Sequence, residues 1–189
     1  MEIDFGEYAM RKISVILLLC ILFCLTGCNR QGDKKEGSYA MPEIVFMNTV
    51  DYNDGKGVSA ITFYDRLGNH YISEDEAVCH MSYKELVTEY AAGNLEGKIE
   101  LHTSCEVQEL YANYEKLCEA VAAGDCEIEC PEALPDVESN ICNWYGLYYN
   151  EEGELERLCI HKLDRMVHMN SESEQINEIY EWYVGSFKD

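Results

Sequence analysis

One apolar run near the N-terminus determines how much of the chain is left to fold as a domain. Ile13 to Leu25 is apolar except for Ser14, and it follows the basic pair Arg11 and Lys12. These 13 residues would reach only about 20 Å as a helix, short of the roughly 30 Å hydrocarbon core of a bilayer. The run therefore predicts an export signal that is removed, rather than a permanent membrane-spanning helix.

The residues that end this run carry a resemblance to a known class of proteins. Leu25-Thr26-Gly27-Cys28 resembles the lipobox of bacterial lipoproteins, the four residues that close a lipoprotein signal peptide. The resemblance implies that the Cys28 sulfur receives a diacylglycerol, that cleavage occurs before Cys28, and that the domain is anchored at the extracytoplasmic face of the cell membrane. It covers Met10 to Cys28 only. An ordinary signal with a coincidental cysteine and an uncleaved anchor remain the alternatives.

The sequence predicts three segments. A signal peptide occupies residues 1–27, with translation expected to begin at Met10 because acidic residues are unusual ahead of the basic part of a signal. Cys28 and a polar, glycine-bearing tether occupy residues 28–41, and a single domain occupies residues 42–189. The 162 residues from 28 onward suffice for one domain with a core, but they are too few for a typical two-lobed solute-binding lipoprotein.

The charge of the chain limits its partners. It has 14 basic and 36 acidic residues, and removing residues 1–27 leaves 12 basic and 33 acidic side chains, a formal charge of −21. Such a charge disfavours nucleic acid and anionic lipid surfaces, and it favours a cationic peptide or a cationic envelope protein. The alternative is that the acidity only keeps an exposed domain soluble.

Turn signals and β-rich runs predict most of a sheet. A three-stranded meander is expected first, then a short strand, then a hairpin around Asn150-Glu151-Glu152-Gly153. The predicted strands are Ile44–Val50, Val58–Tyr64, His70–Ile72, Lys98–His102, Ile141–Tyr149 and Leu155–Leu163.

Four capping boxes, in which a Ser or Thr precedes a Glu by three residues, predict four helix starts. The pairs are Ser73 with Glu76, Ser82 with Glu85, Thr103 with Glu106, and Ser171 with Glu174. The predicted fold class is therefore α+β, with an antiparallel sheet of about five or six strands and helices packed mainly on one face.

Seven of the ten cysteines lie beyond Cys28, so both disulfides and buried thiols are open interpretations. Cys126 and Cys130 flank Glu127 and Glu129, and with histidines from elsewhere they are weak candidates for a metal or thiol-redox site. The second cysteine pair of a typical zinc site is missing, and we predict no cofactor.

A run of aromatic residues supplies the candidate ligand-binding side chains. On a strand, Trp144 and Tyr148 share one face, while Tyr145 and Tyr149 share the other. Aromatic side chains exposed on one face of a sheet could stack on a sugar or hold a peptide. A sheet covered on both faces would instead bury them.

Motifs that mark catalysis are missing. The sequence contains no Gly-x-Ser-x-Gly elbow and no phosphate-binding glycine loop, and we nominate no catalytic residue. The favoured hypothesis is a lipid-anchored extracytoplasmic protein with a small acidic, non-catalytic binding domain. A metal-binding or thiol-redox domain is the second hypothesis, and an envelope hydrolase is the third.

Overall fold

A computed structural model describes residues 40–124, 126–131, 134, 135, 137 and 139–186. One antiparallel sheet of seven strands runs through this part of the chain, in the spatial order β4-β3-β2-β1-β5-β6-β7. The strands are β1 Ile44–Asp51, β2 Val58–Asp65, β3 Asn69–Ser73, β4 Glu100–Ser104, β5 Ile141–Tyr149, β6 Leu155–Asp164 and β7 Val167–Met169. The helices are α1 Glu76–Cys79, α2 Tyr83–Ala91, α3 Val107–Ala123 and α4 Glu174–Gly185.

The α+β class and the antiparallel sheet are confirmed, but the sheet has seven strands rather than five or six. The added strand β7 has only three residues, too few for a visible alternation of apolar and polar side chains. It follows a turn in which Arg165 and Met166 both have positive φ angles, +49° and +63°. Neither is a typical turn residue, so the sequence carried no signal for this turn.

The core lies on both faces of the sheet. The two longer helices, α3 and α4, cover one face and pack on Phe46, Tyr64 and Ile160. The two shorter helices, α1 and α2, cover the other face and pack on Phe63 and Leu147. The prediction of helices mainly on one face therefore holds for the two longer helices, while the shorter pair makes the sheet a middle layer.

Only one of the four predicted capping boxes forms. At the start of α2 the Ser82 hydroxyl accepts from the Glu85 amide at 3.3 Å, and the Glu85 carboxylate accepts from the Ser82 amide at 2.8 Å. The other three predicted caps are wrong, because Ser73, Thr103 and Ser171 pair with other strands or segments. The residues that precede α1, α3 and α4 are instead Asp75, Glu106 and Ser173.

Among the described residues, no helix combines the length and the apolar character that crossing a bilayer requires.

Candidate functional site

The predicted lipidation residue, Cys28, lies outside the described residues.

Of the four predicted ligand-binding aromatics, Trp144 and Tyr145 are half-buried. The Trp144 ring lies edge-on to Tyr180, with ring centroids 5.1 Å apart. The guanidinium carbon of Arg157 lies 4.7 Å from the Tyr145 ring centroid. Both side chains are therefore engaged within the fold.

Tyr148 and Tyr149 instead line a groove beside the C-terminal end of α3. We call it the tyrosine groove, and its volume is about 330 Å³. Tyr149 is 41% exposed, and Tyr148 packs partly against the α3–α4 core. The lining residues are Cys118, Val121, Ala122, Tyr148, Tyr149, Asn150 and Glu151.

A second recess of about 550 Å³ shares Tyr149, Asn150 and Glu151 with the tyrosine groove, and Ala40 and Gly153 complete its lining. The Ala40 carbonyl accepts a hydrogen bond of 2.6 Å from the Tyr114 hydroxyl. The described chain therefore begins beside this pair of cavities.

Hydrogen bonds that Asn150 accepts hold the turn between β5 and β6 in place. Its side-chain oxygen accepts from the amides of Glu152 and Glu154 at 3.0 and 2.9 Å. Gly153 donates its amide to the Asn150 carbonyl at 2.9 Å and has a φ of +78°, which favours glycine. The backbone that carries the exposed carboxylates of Glu151, Glu152 and Glu154 is therefore well defined.

The local electrostatics favour a cation. The negative end of the α3 dipole reaches the tyrosine groove, since Val121 and Ala122 belong to the last turn of that helix. Gly124 ends the helix with a φ of +72°, a left-handed conformation that glycine adopts readily. Among the described residues, no basic side chain lines either cavity.

The Cys118 thiol in the groove is unsuited to nucleophilic chemistry. It is only 6% exposed, and burial raises its pKa to about 11. A thiol with that pKa stays protonated at neutral pH, whereas the thiolate is the reactive form.

Cys126 and Cys130 lie on a segment that pairs with residues 170–172. Glu129 donates its amide to the Asn170 carbonyl, and Glu172 donates its amide to the Glu127 carbonyl. Four residue steps of extended chain span about 13 Å between Cα atoms, whereas a disulfide requires roughly 4.4–6.8 Å. A Cys126–Cys130 bond would therefore require this pairing to break.

Among the described residues, Cys79, Cys105, Cys118, Cys130, Cys142 and Cys159 are free thiols. No cluster of three or more His, Cys, Asp or Glu side chains in the described part of the chain could hold a metal ion.

Two histidines are buried within the sheet, His70 on β3 and His161 on β6. Nε2 of His161 lies 2.9 Å from Nδ1 of His168, and the His161 ring stacks on Tyr180 with centroids 3.5 Å apart. His70 lies against Tyr64, with centroids 4.6 Å apart. Burial lowers the pKa of both His70 and His161 to about 4. The position of a histidine in a strand sequence does not show whether its side chain is buried. The burial of His70 and His161 is therefore known only from the fold.

The chain matches no protein-family model, no curated protein and no solved structure.

Proposed function

We propose that this chain is a lipid-anchored protein of the extracytoplasmic membrane face, and that its acidic domain binds a cationic peptide or a cationic partner protein. The observation that carries the proposal is the tyrosine groove, which combines two tyrosines and a carboxylate with no basic lining residue among those described. Cys28, through its lipobox, supplies the anchor.

The individual contributions are small, so the ligand must present several cations. A cation on an exposed tyrosine ring contributes about 0.5–1 kcal/mol. An exposed ion pair with a carboxylate such as Glu151 contributes about 0.2–1 kcal/mol. The formal charge of −21 from residue 28 onward adds long-range attraction, which raises the rate of encounter with a polycation. A peptide with several lysines or arginines can sum several of these small contributions, whereas a single small cation cannot.

The anchor is tested by metabolic labelling of the full chain in a bacterial host with a palmitate analogue. We expect label on the wild-type chain and none on Cys28→Ser. Cys24→Ser is the matched control, because Cys24 lies in the apolar run that the lipobox closes, and its substitution is expected to leave the label in place. Label that persists on Cys28→Ser would refute lipidation at this residue.

Cation binding is tested with the full chain in detergent and a hexalysine amide probe. The control is the same peptide with every side-chain amine acetylated, which removes the charge and keeps the length. Binding of hexalysine without binding of the acetylated peptide supports the proposal. Equal binding of both peptides, or of neither, contradicts it.

A further inference from the structure

We infer that the tyrosine groove accepts one lysine or arginine side chain, with its aliphatic stem along the groove wall and its cationic head at the β5–β6 turn. This inference rests on the proposed function and adds the position and chemical form of the recognised group.

The wall of the groove suits an alkyl stem. Val121 and Ala122 provide an aliphatic side from the last turn of α3, and Tyr148 and Tyr149 provide ring surface from β5. Because burial of each methylene against an apolar surface is favourable, a stem of several methylenes benefits from this wall. A bare metal cation would gain nothing from it, and the wall offers no second carboxylate to ligate one.

The end of the groove suits the cationic head. Glu151 contributes a carboxylate, and the C-terminal end of α3 contributes the negative end of a helix dipole. Asn150 acts as a positioning residue, since its side-chain oxygen already accepts two amides of the turn that carries Glu151. The stem and the head of one side chain therefore meet complementary surfaces at the same time.

The fold contains an internal example of the same recognition. The Arg157 guanidinium carbon lies 4.7 Å from the Tyr145 ring centroid and 5.1 Å from the Tyr83 ring centroid. Two tyrosines thus flank a basic side chain of the protein itself. In the tyrosine groove, Tyr148 and Tyr149 are likewise two tyrosines, and the groove lining includes no basic residue among those described.

The first experiment locates the probe by NMR. The full chain, with ¹³C-labelled valine and alanine methyl groups, is titrated with hexalysine amide. We expect the methyl signals of Val121 and Ala122 to shift in proportion to binding. Signals of Val87, which is buried in the core on the other face of the sheet, serve as the internal control and are expected to stay in place.

The second experiment measures affinity with matched variants. Tyr149→Ala and Glu151→Gln are each expected to weaken hexalysine binding by about two- to fivefold. Tyr52→Ala removes a similarly exposed tyrosine elsewhere, and Glu172→Gln removes an exposed carboxylate elsewhere. Both controls are expected to bind within twofold of the wild type. Glu151→Gln changes an exposed side chain to one of the same shape, so it tests the site without endangering the fold.

A third experiment tests the stem. A hexapeptide amide of 2,4-diaminobutyrate has the charge of hexalysine at pH 6 but two fewer methylenes in each side chain. We expect it to bind more weakly than hexalysine by up to about tenfold, because the stem no longer spans the wall.

The outcomes separate the two proposals. If Tyr149→Ala and Glu151→Gln leave the affinity for hexalysine unchanged, the groove assignment is wrong, although cation capture still stands. The same conclusion follows if hexalysine shifts methyl signals outside the groove. Equal affinity for the two peptides would overturn the role of the stem. A wild-type chain that binds no hexalysine would overturn the proposed function itself.

Discussion

Gly146 in the middle of β5 offers the sharpest test of the packing between the sheet and α3. A Cβ atom added at Gly146 would lie 2.5 and 2.7 Å from the two terminal methyl carbons of Leu117. Leu117 is fully buried, so its side chain has no solvent-filled space to move into. Overpacking of this kind lowers the free energy of unfolding by about 1–3 kcal/mol. Alanine also lowers the chain entropy of the unfolded state, which raises the free energy of unfolding by about 0.4–1 kcal/mol and offsets part of the loss. Gly146→Ala should therefore destabilise the fold by about 1–2 kcal/mol.

Denaturant unfolding of the full chain measures this cost, and a double-mutant cycle identifies its source. Leu117→Ala alone should cost about 2–5 kcal/mol, but it also removes the methyl groups that the new Cβ meets. The double variant should therefore be more stable than the sum of the single effects by about 1 kcal/mol or more. Gly185→Ala is the control, since a Cβ there meets nothing within 4 Å. A neutral Gly146→Ala, or strictly additive effects, would refute the packing.

Two further predictions concern pH and helix capping. Because the pKa values of His70 and His161 are about 4 in the folded chain against 6.5 for the free side chain, the unfolded state binds more protons between these values. The stability that these residues confer is complete above pH 6.5 and falls as the pH drops toward 4, by at most about 1.4 kcal/mol per residue and pH unit. Unfolding of His161→Gln should show a shallower pH dependence, with exposed His80→Gln as the control, and an unchanged slope would contradict the buried neutral imidazole. Ser82→Ala should destabilise the chain by about 1 kcal/mol in denaturant unfolding through loss of the α2 cap, and no loss would contradict the capping box.

The sequence predicts those elements whose signals are local. The β1–β2 and β5–β6 hairpins were predicted because glycines such as Gly57 and Gly153 mark turns that need positive φ. The predicted caps at Ser73, Thr103 and Ser171 were wrong because strand pairing, which is decided at long range, placed these residues in extended backbone. A local capping pattern does not reveal whether another strand competes for the same residues.

The candidate site was predictable only in part, for the same reason. The aromatic run identifies Tyr148 and Tyr149 as residues that could meet a ligand, but alternation along the strand assigns them to opposite faces and so does not predict that both line one groove. It does not reveal that Trp144 and Tyr145 are engaged within the fold, because their partners come from α4 and β6. The groove itself exists only where the end of α3 meets the β5–β6 turn, and no sequence spacing relates those two places.

The most direct test of cation capture is the affinity of the full chain for hexalysine amide at two salt concentrations. The screening length falls from about 30 Å at 0.01 M to about 8 Å at 0.15 M ionic strength. If acidic groups of the domain attract the peptide, the dissociation constant should rise by about tenfold or more over this range. A dissociation constant that is the same at both ionic strengths would contradict the account.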